Sequence, residues 1–292
     1  MKRFVILFSF VAMLFTSCEL ASVDGDGNNG GGNSGSANDR VETLMLYGMG
    51  PVSSSGDNVT KIALCFKYDD EGRVEHISHI AFGENGAREM ITQTINYETS
   101  PATITSIIEK MVLNTSSKEV ILEKSNGTSG AASFNGLNCL TSLSYGDMFN
   151  CAIAYSSANG RMEYYRGGSG NVVQFVWDGN NVVSAAGCNL TYSDKLATWY
   201  GFDWLLLFFN GYNEHNALLS ALNTNGGLHS DYIPSTISVI GNSQKINYAF
   251  DNKGRLSTVK LGDQTIEFYL YESEDRDFGF KWDPHIDDSA EK

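Results

Sequence analysis

The sequence is short of basic residues, which excludes one large class of partner. It has 20 Lys and Arg against 34 Asp and Glu in 292 residues, a formal net charge of −14 at pH 7. Proteins bind nucleic acid through basic side chains that neutralise phosphates, and docking on anionic lipid also needs basic clusters. We therefore expect no nucleic-acid partner and no membrane contact through charge alone.

The short motifs that mark many active sites are missing as well. The chain has no GxSxG, HExxH or phosphate-loop sequence. His76 and His79 are three residues apart on a predicted strand, which places them on opposite faces and prevents a shared metal. His215 follows Glu214 at a predicted helix start, where we expect a solvated side chain. These absences predict a protein that is not an enzyme and that uses neither a metal nor another cofactor.

Long apolar runs are scarce, and one of them lies at the N-terminus. A basic n-region precedes an apolar segment, residues 4–15, that is too short to span a bilayer as a helix. The sequence LFTSC at 14–18 follows, and it resembles the lipobox of bacterial lipoproteins. The resemblance implies a signal peptide at residues 1–17, cleavage before Cys18 and acylation of Cys18. We expect the acylated cysteine to hold the protein at a cell-envelope membrane, the outer membrane being favoured.

The rest of the chain divides by composition. Residues 18–39 are rich in Gly, Asn and Ser and have almost no large apolar side chains, so we expect a flexible tether. Residues 40–272 carry the apolar pattern of a folded domain. Residues 273–292 are acidic, and we expect them to form a frayed C-terminal tail.

The domain contains little proline and much glycine, with 4 Pro and 30 Gly in the whole chain. This composition fits many tight turns between strands. Apolar and polar residues alternate through most of the domain; for example, Ile62, Leu64, Phe66 and Tyr68 share one face of a predicted strand. The pattern predicts a mainly β fold.

Several predicted hairpins resemble one another. KYDDEGRVEHI at 67–77 matches AFDNKGRLSTV at 249–259, and AYSSANGRMEYY at 154–165 matches both with one extra turn residue. Weaker copies are ASFNGLNCLTSL at 132–143, VWDGNNVVSA at 176–185 and LTYSDKLATW at 190–199. Repeated hairpins bury their faces by stacking on their neighbours. We therefore predict a curved antiparallel sheet of repeated hairpins.

One stretch, residues 203–222, predicts a short helical insert packed on that sheet. Its second half has apolar residues at helical spacing, with Asn213 or Glu214 as the start and Asn223 near the end. Trp204 begins a run that is apolar all round, which is typical of buried segments. We expect this insert to fill the inner face of the sheet.

Two features allow two readings each. Residues 99–112 have helical spacing of apolar side chains but are rich in Thr and Ile, so a helix and a strand both fit, and we favour the strand. The four cysteines Cys65, Cys139, Cys151 and Cys188 could form two disulfides in three connectivities, or remain buried thiols. We favour thiols, because Cys65 and Cys151 lie within apolar strands.

The hairpin motif resembles the YD-type repeats of large bacterial surface and toxin proteins. The order FKYDDEGR, DWLLLFF, NALLSAL, YIPS, INYAFDNKGRL and IEFYLYE is similar to an uncharacterised family of Bacteroides-type lipoproteins that carry a domain of unknown function. The similarity covers most of residues 60–271. It departs from the family at Ile233, where Leu is usual, and at the Ser pair 156–157, which replaces an acidic turn. The resemblance implies fold and location, but no reaction.

Aromatic residues are the remaining clue to function. Tyr164, Tyr165, Trp177, Trp199 and Tyr200 lie in or beside predicted hairpins, and flat amphipathic rings on one face could stack on sugar rings. The alternative is cross-strand packing in the core, which we favour. The sequence thus predicts a non-catalytic binding or accessory module of the envelope, with an extracellular ligand such as a glycan. A structural or protein-interaction scaffold for an envelope protein is the alternative.

Overall fold

The computed structural model describes most of the predicted domain. The described residues are 40–48, 59–83, 88–113, 120–147, 149–167, 170, 172–197, 202–223 and 227–270. The proposed signal peptide, Cys18, the tether and the acidic tail lie outside these ranges.

Within the described ranges the chain forms eighteen strands and two helices. They are β1 Val41–Tyr47, β2 Val59–Tyr68, β3 Val74–Gly83, β4 Arg88–Asn96, β5 Ala102–Leu113, β6 Val120–Asn126, β7 Gly130–Phe134, β8 Leu140–Tyr145, β9 Phe149–Tyr155, β10 Met162–Gly167, β11 Val172–Asp178, β12 Asn181–Ala185, β13 Cys188–Leu196, α1 Trp204–Asn210, α2 Glu214–Leu222, β14 Tyr232–Val239, β15 Asn242–Lys245, β16 Asn247–Phe250, β17 Leu256–Leu261 and β18 Gln264–Leu270.

The strands form an antiparallel meander whose two ends meet. Leu44 of β1 pairs with Leu64 of β2 on one side and with Phe268 of β18 on the other. Between β15 and β16, the backbone N–H of Ile246 donates to the carbonyl of Ser235 on β14 at 2.9 Å. The sheet is therefore nearly closed into a barrel. This confirms the predicted curved antiparallel sheet with a short helical insert.

Residues 102–113 form a strand, which confirms the favoured reading of that ambiguous stretch. β5 pairs with β4 through nine consecutive residue pairs, and its other edge meets β6 and β7. Ile104 and Ser106 are buried, whereas Thr103 and Thr105 are exposed. The helical spacing of the isoleucines is therefore incidental, because the backbone hydrogen bonds are made to neighbouring strands.

The two ends of the sheet carry different connections, and the end at which the helices enter is called the entry end. The entry end carries the turns at 69–73, 97–101, 135–139 and 156–161, together with the connection from β13 to β14 that contains both helices. The opposite end carries the turns at 186–187, 240–241 and 262–263.

The two helices form a hairpin that enters the sheet at the entry end and fills its interior. Asp203 caps α1 by accepting a hydrogen bond from the N–H of Leu206, and Asn213 caps α2 in the same way. Residues 204–209 and 217–222 are all buried, and all of them except Ser220 belong to the same apolar cluster as the inner faces of the strands. The prediction that this insert is core is confirmed.

The turns of the two best-matching hairpins have the same geometry. Asp69 accepts hydrogen bonds from the backbone N–H and from Nε of Arg73, both at 2.7 Å. Asp251 accepts from the same two atoms of Arg255, at 2.8 and 2.7 Å. In each turn the intervening glycine has a positive φ, 80° at Gly72 and 77° at position 254, which explains the shared glycine.

The four described cysteines are free and buried, as favoured from the sequence. Burial raises the pKa of Cys65 and of Cys151 to about 12, so both are protonated thiols at neutral pH. In the described part of the chain, no helix combines the length and the hydropathy that crossing a membrane requires.

Candidate functional site

A row of aromatic side chains ties neighbouring hairpins together at the entry end. Each donates its O–H or N–H to the backbone carbonyl at or near the start of an earlier strand. The pairs are Tyr68 to Val41, Tyr97 to Val74, Tyr155 to Leu140, Trp177 to Met162, Tyr192 to Val182, and Tyr248 to Pro234. The aromatic residue of the hairpin motif therefore has a structural role in most copies.

A cleft of about 250 Å³ opens at this end, between β3, β5, β7 and the end of α2. Two aromatic rings, Tyr97 and Phe134, lie in its wall with their centres 5.8 Å apart. The guanidinium of Arg73 lies 4.3 Å from the centre of the Tyr97 ring. The other lining residues are Val74, Thr99, Ser100, Pro101, Ala102, Ala132, Ser133, Asn135, Asn138, Ala221 and Leu222.

Arg73 is held in place by its own turn. Its Nε contacts Asp69 at 2.7 Å and its Nη1 contacts Glu71 at 2.9 Å. The positive charge is therefore paired before any ligand arrives. The cleft offers stacking surface, hydroxyl groups and amides, and it is not a strongly charged site.

A second polar cluster lies inside the sheet, at the tip of the helical hairpin. Nε2 of His79 lies 2.8 Å from Oε1 of Gln93, and its Nδ1 lies 3.2 Å from the hydroxyl of Tyr212. Tyr145 donates to Oε2 of Glu214 at 3.1 Å. These contacts join β3, β4 and β8 to Tyr212, which lies between the two helices, and to Glu214, the first residue of α2.

Burial controls the ionisation of this cluster. It lowers the pKa of His79 to about 4 and raises the pKa of Glu214 above its ordinary value. His215 was expected to be solvated, but its ring stacks on Phe149 at 4.2 Å and burial lowers its pKa to about 4. That expectation was wrong because the hairpin tip reaches into the sheet, so neutral histidines are favoured here.

At the base of the helical hairpin, Asp203 is fully buried. Its carboxylate accepts from the N–H of Leu206 at 3.0 Å and of Leu228 at 2.7 Å. Burial raises its pKa to about 6, although these hydrogen bonds lower it. These hydrogen bonds satisfy a backbone N–H at the start of α1 and hold the segment after α2 beside it. Asp203 therefore has a structural role.

The three described aromatic residues that were predicted to stack on a ligand do not line the cleft. Tyr165 is buried, with its hydroxyl 3.5 Å from Oδ1 of Asn210. Trp177 is partly buried against the core, whereas Tyr164 is half-buried next to Tyr165 on the strand. Trp199 and Tyr200 lie outside the described residues. The three described rings therefore do not form one exposed face.

Sequence reasoning missed the residues that do line the cleft. Arg73 and Phe134 lie in hairpin motifs that the sequence showed, and Tyr97 follows the next strand, but nothing in the pattern said which motifs would become neighbours. His76 and His79 lie on opposite faces of β3, as predicted, since His79 points inward to Tyr212 and His76 contacts Thr94. Among the described residues, no three His, Cys, Asp or Glu side chains are grouped as a metal site would require.

The fold resembles structures of proteins from Bacteroides. A porin-like protein from Bacteroides uniformis matches with a TM-score of 0.53 at 11% identity, covering 79% of this chain and 97% of that one. A porin-like protein from Bacteroides vulgatus matches at 11% identity over 80% of this chain and 99% of that one, with a TM-score of 0.30. No protein-family profile and no curated protein matches the chain. The first likeness establishes a shared fold.

Proposed function

We propose that the chain is a lipid-anchored protein of the cell envelope whose β domain binds a saccharide in the entry-end cleft without transforming it. The anchor is the acyl group on Cys18, as its lipobox-like context implies. The proposed ligand is a glycan, as the sequence predicted, but the proposed binding site is the cleft rather than the aromatic residues of the hairpins.

The composition of the cleft is the observation that carries this proposal. Sugar-binding sites combine flat aromatic surface with a few polar groups that fix orientation. Tyr97 and Phe134 supply the surface, and Ser and Thr hydroxyls with Asn amides supply the polar groups. The volume of about 250 Å³ is just below the roughly 300–1,000 Å³ of drug-sized sites. A ligand of one or two sugar rings fits this scale.

The cleft is suited to binding rather than catalysis. Its described lining contains no His, Asp, Glu or Cys side chain that could act as a general acid, a general base or a nucleophile. The packed interior also favours binding over transport, although one protein that shares the fold is porin-like. A porin has a water-filled polar interior, whereas the interior here is packed with the helical hairpin.

The second candidate function, a protein-interaction scaffold, is favoured by one feature of the sheet. In the described residues β6 pairs with β5 alone, and residues 123–126 are exposed on both faces. A strand with an unpaired edge can accept a strand from another protein.

The saccharide proposal is tested by matched substitutions in the full chain on a glycan array. Phe134→Leu removes a cleft ring, and Phe250→Leu removes the phenylalanine at the same motif position in a hairpin outside the cleft. We expect Phe134→Leu alone to lose at least about tenfold in affinity, because stacking on a sugar ring needs a flat aromatic ring. Equal loss in both variants, or no glycan bound by the wild type, contradicts the proposal. If the protein instead binds a strand of another protein, and a proline in β6 abolishes that binding, the scaffold function is favoured.

The anchor has a separate test. Replacing Cys18 with Ser should leave the protein without lipid and move it from the membrane to the soluble fraction. A Cys18→Ser protein that still takes up labelled fatty acid, or still sediments with membranes after a high-salt wash, contradicts the lipoprotein assignment.

A further inference from the structure

One part of the cleft wall, which we call the floor, is apolar and shielded from water. Its side chains are all hydrocarbon and each is at most 4% exposed: Val74, Ala102, Ala132, Ala221 and Leu222. A charged group that moves from water to such a surface loses its hydration, which costs free energy unless an opposite charge replaces the water. The floor therefore accepts an uncharged ligand more readily than an ionised one.

The cleft offers no unpaired positive charge that could repay this cost for an anion. Arg73 is the only Lys or Arg side chain in the described lining. Its Nε contacts Asp69 at 2.7 Å and its Nη1 contacts Glu71 at 2.9 Å, so two carboxylates face one guanidinium. A carboxylate on a ligand would compete with both of them and would be repelled by both.

The hydroxyl of Tyr97 shows which sign of charge dominates at the cleft wall. Burial raises the pKa of Tyr97 above its ordinary value, and the carboxylates of Asp69 and Glu75 raise it further. The guanidinium of Arg73 lowers this pKa, but by less than Asp69 raises it, although it lies 4.3 Å from the centre of the Tyr97 ring. The carboxylates therefore outweigh the guanidinium at a residue that lines the cleft.

The second carboxylate distinguishes the cleft turn from its copy at 251–255. In both turns an aspartate accepts a hydrogen bond from Nε of the arginine four residues later. The residue two positions before that arginine is Glu71 in the cleft turn and Lys253 in the copy. Because the copy forms the same turn with a lysine, the turn itself does not require an acidic residue there. Glu71 instead places a negative charge beside the cleft.

We propose that the cleft binds an uncharged saccharide and rejects acidic ones, such as uronic acids, and that Glu71 contributes to this selection. The inference rests on the saccharide-binding function proposed above and adds the class of saccharide. A neutral sugar presents hydroxyl groups, and the lining offers them the hydroxyls of Thr99, Ser100 and Ser133 and the side-chain amide of Asn135. Repulsion of the wrong ligand adds to the specificity that these contacts provide.

The full chain is tested against matched sets of oligosaccharides. One set contains neutral chains of glucose, galactose or mannose, another the same chains oxidised to carboxylates at C6, and a third the methyl esters of those uronates. We expect the wild type to bind at least one neutral chain, and to bind its carboxylate form at least about tenfold more weakly. The methyl ester should restore most of the affinity, because it keeps the carbonyl group and removes the charge.

Glu71→Lys tests the source of the selection, because it introduces the residue that the copy carries. It should raise the affinity for the carboxylate chains relative to the neutral chains by at least about fivefold. Glu163→Lys is the control, since it makes the same change in net charge at an exposed position of β10 that is not part of the described lining. It should alter that ratio by less than about twofold.

The outcomes separate the two proposals. Equal or tighter binding of the carboxylate chains overturns the selection for uncharged ligands and leaves saccharide binding intact. A methyl ester that binds no better than its carboxylate overturns charge as the cause of the selection. If Glu71→Lys changes the ratio no more than Glu163→Lys does, the role of Glu71 is overturned. Absence of binding to every chain overturns both the selection and the saccharide function.

Discussion

The hairpin turns at 69–73 and 251–255 have the same local structure but different surroundings. In both, an aspartate binds the backbone and the guanidinium of an arginine four residues later. Arg73 lines the cleft, together with Tyr97, Phe134 and the end of α2, whereas Arg255 does not. The comparison teaches that a short motif determines a turn, while the elements packed beside it determine whether that turn belongs to a site.

The largest effect is expected from a substitution in the helical hairpin, because both turns pack on the core that it fills. Leu219→Ala in α2 should lower the free energy of unfolding by about 2–5 kcal/mol, because the side chain is 1% exposed and leaves a cavity. Urea denaturation measures the change. Both turns should be lost in one transition, since they pack on the same core.

Leu196→Ala is the control for this substitution, because Leu196 is 69% exposed. It should change the free energy of unfolding by less than about 0.5 kcal/mol. If Leu219→Ala behaves like Leu196→Ala and instead weakens association with a membrane or partner, the helical hairpin is not the core.

The second effect concerns pH and distinguishes the hairpin tip from its base. The pKa of His79 is about 4 when folded and about 6.5 when unfolded, so the unfolded state binds more protons between these values. Its contribution to stability is complete above pH 6.5 and is lost as the pH falls towards 4. Asp203, whose pKa burial raises from 3.8 to about 6, acts in the opposite direction. Its contribution to stability is complete below pH 3.8 and is lost as the pH rises through about 6, because burial disfavours the ionised form that then accumulates.

His79 and His215 together should outweigh Asp203, so the melting temperature should fall between pH 6.5 and 4. One unit of pKa shift corresponds to about 1.4 kcal/mol. His79→Gln should flatten the fall and Asp203→Asn should steepen it. This account of the tip is contradicted if the melting temperature rises on acidification. It is also contradicted if His79→Gln leaves the slope of melting temperature against pH unchanged.

A smaller effect compares the two turns directly. Asp69→Ala removes the acceptor of two hydrogen bonds and Asp251→Ala the acceptor of three, the third coming from the N–H of Lys253. Each substitution should cost about 1–3 kcal/mol. The costs should agree within about 1 kcal/mol, because the turn geometries agree. Only Asp69→Ala should also weaken saccharide binding, because it releases Arg73 at the cleft. Chemical denaturation and titration with a glycan found on the array measure the two outcomes. Equal binding losses would show that the cleft is not the site.

The smallest effect isolates a single hydrogen bond. Tyr68→Phe and Tyr97→Phe each leave the ring and remove one bond to a backbone carbonyl, which should cost about 0.5–1.5 kcal/mol. Thermal melts should show similar shifts for the two variants. Saccharide affinity should change little in either, since the rings remain. A large affinity loss in Tyr97→Phe would assign the hydroxyl, rather than the ring, to the ligand.

The sequence by itself determined the local structure well. Alternating apolar and polar residues predicted the strands, and the Asp-x-x-Gly-Arg motif predicted the turns. Asn213 and Asn223 lie at the two ends of α2, as expected. The apolar run from Trp204 predicted a buried segment. These features depend on a residue and its near neighbours in the chain, so pattern and side-chain chemistry suffice to read them.

Only the tertiary structure decided the surroundings of those elements. The cleft joins Arg73, Tyr97 and Phe134 with Leu222 of α2, and the tip joins His79 to Tyr212, residues 133 apart in sequence. The solvation of His215 and the inward position of Tyr165 depend on how deeply the helical hairpin enters the sheet. Such contacts follow from strand register and closure, which sum many weak pairings along the whole chain, and no short pattern encodes them.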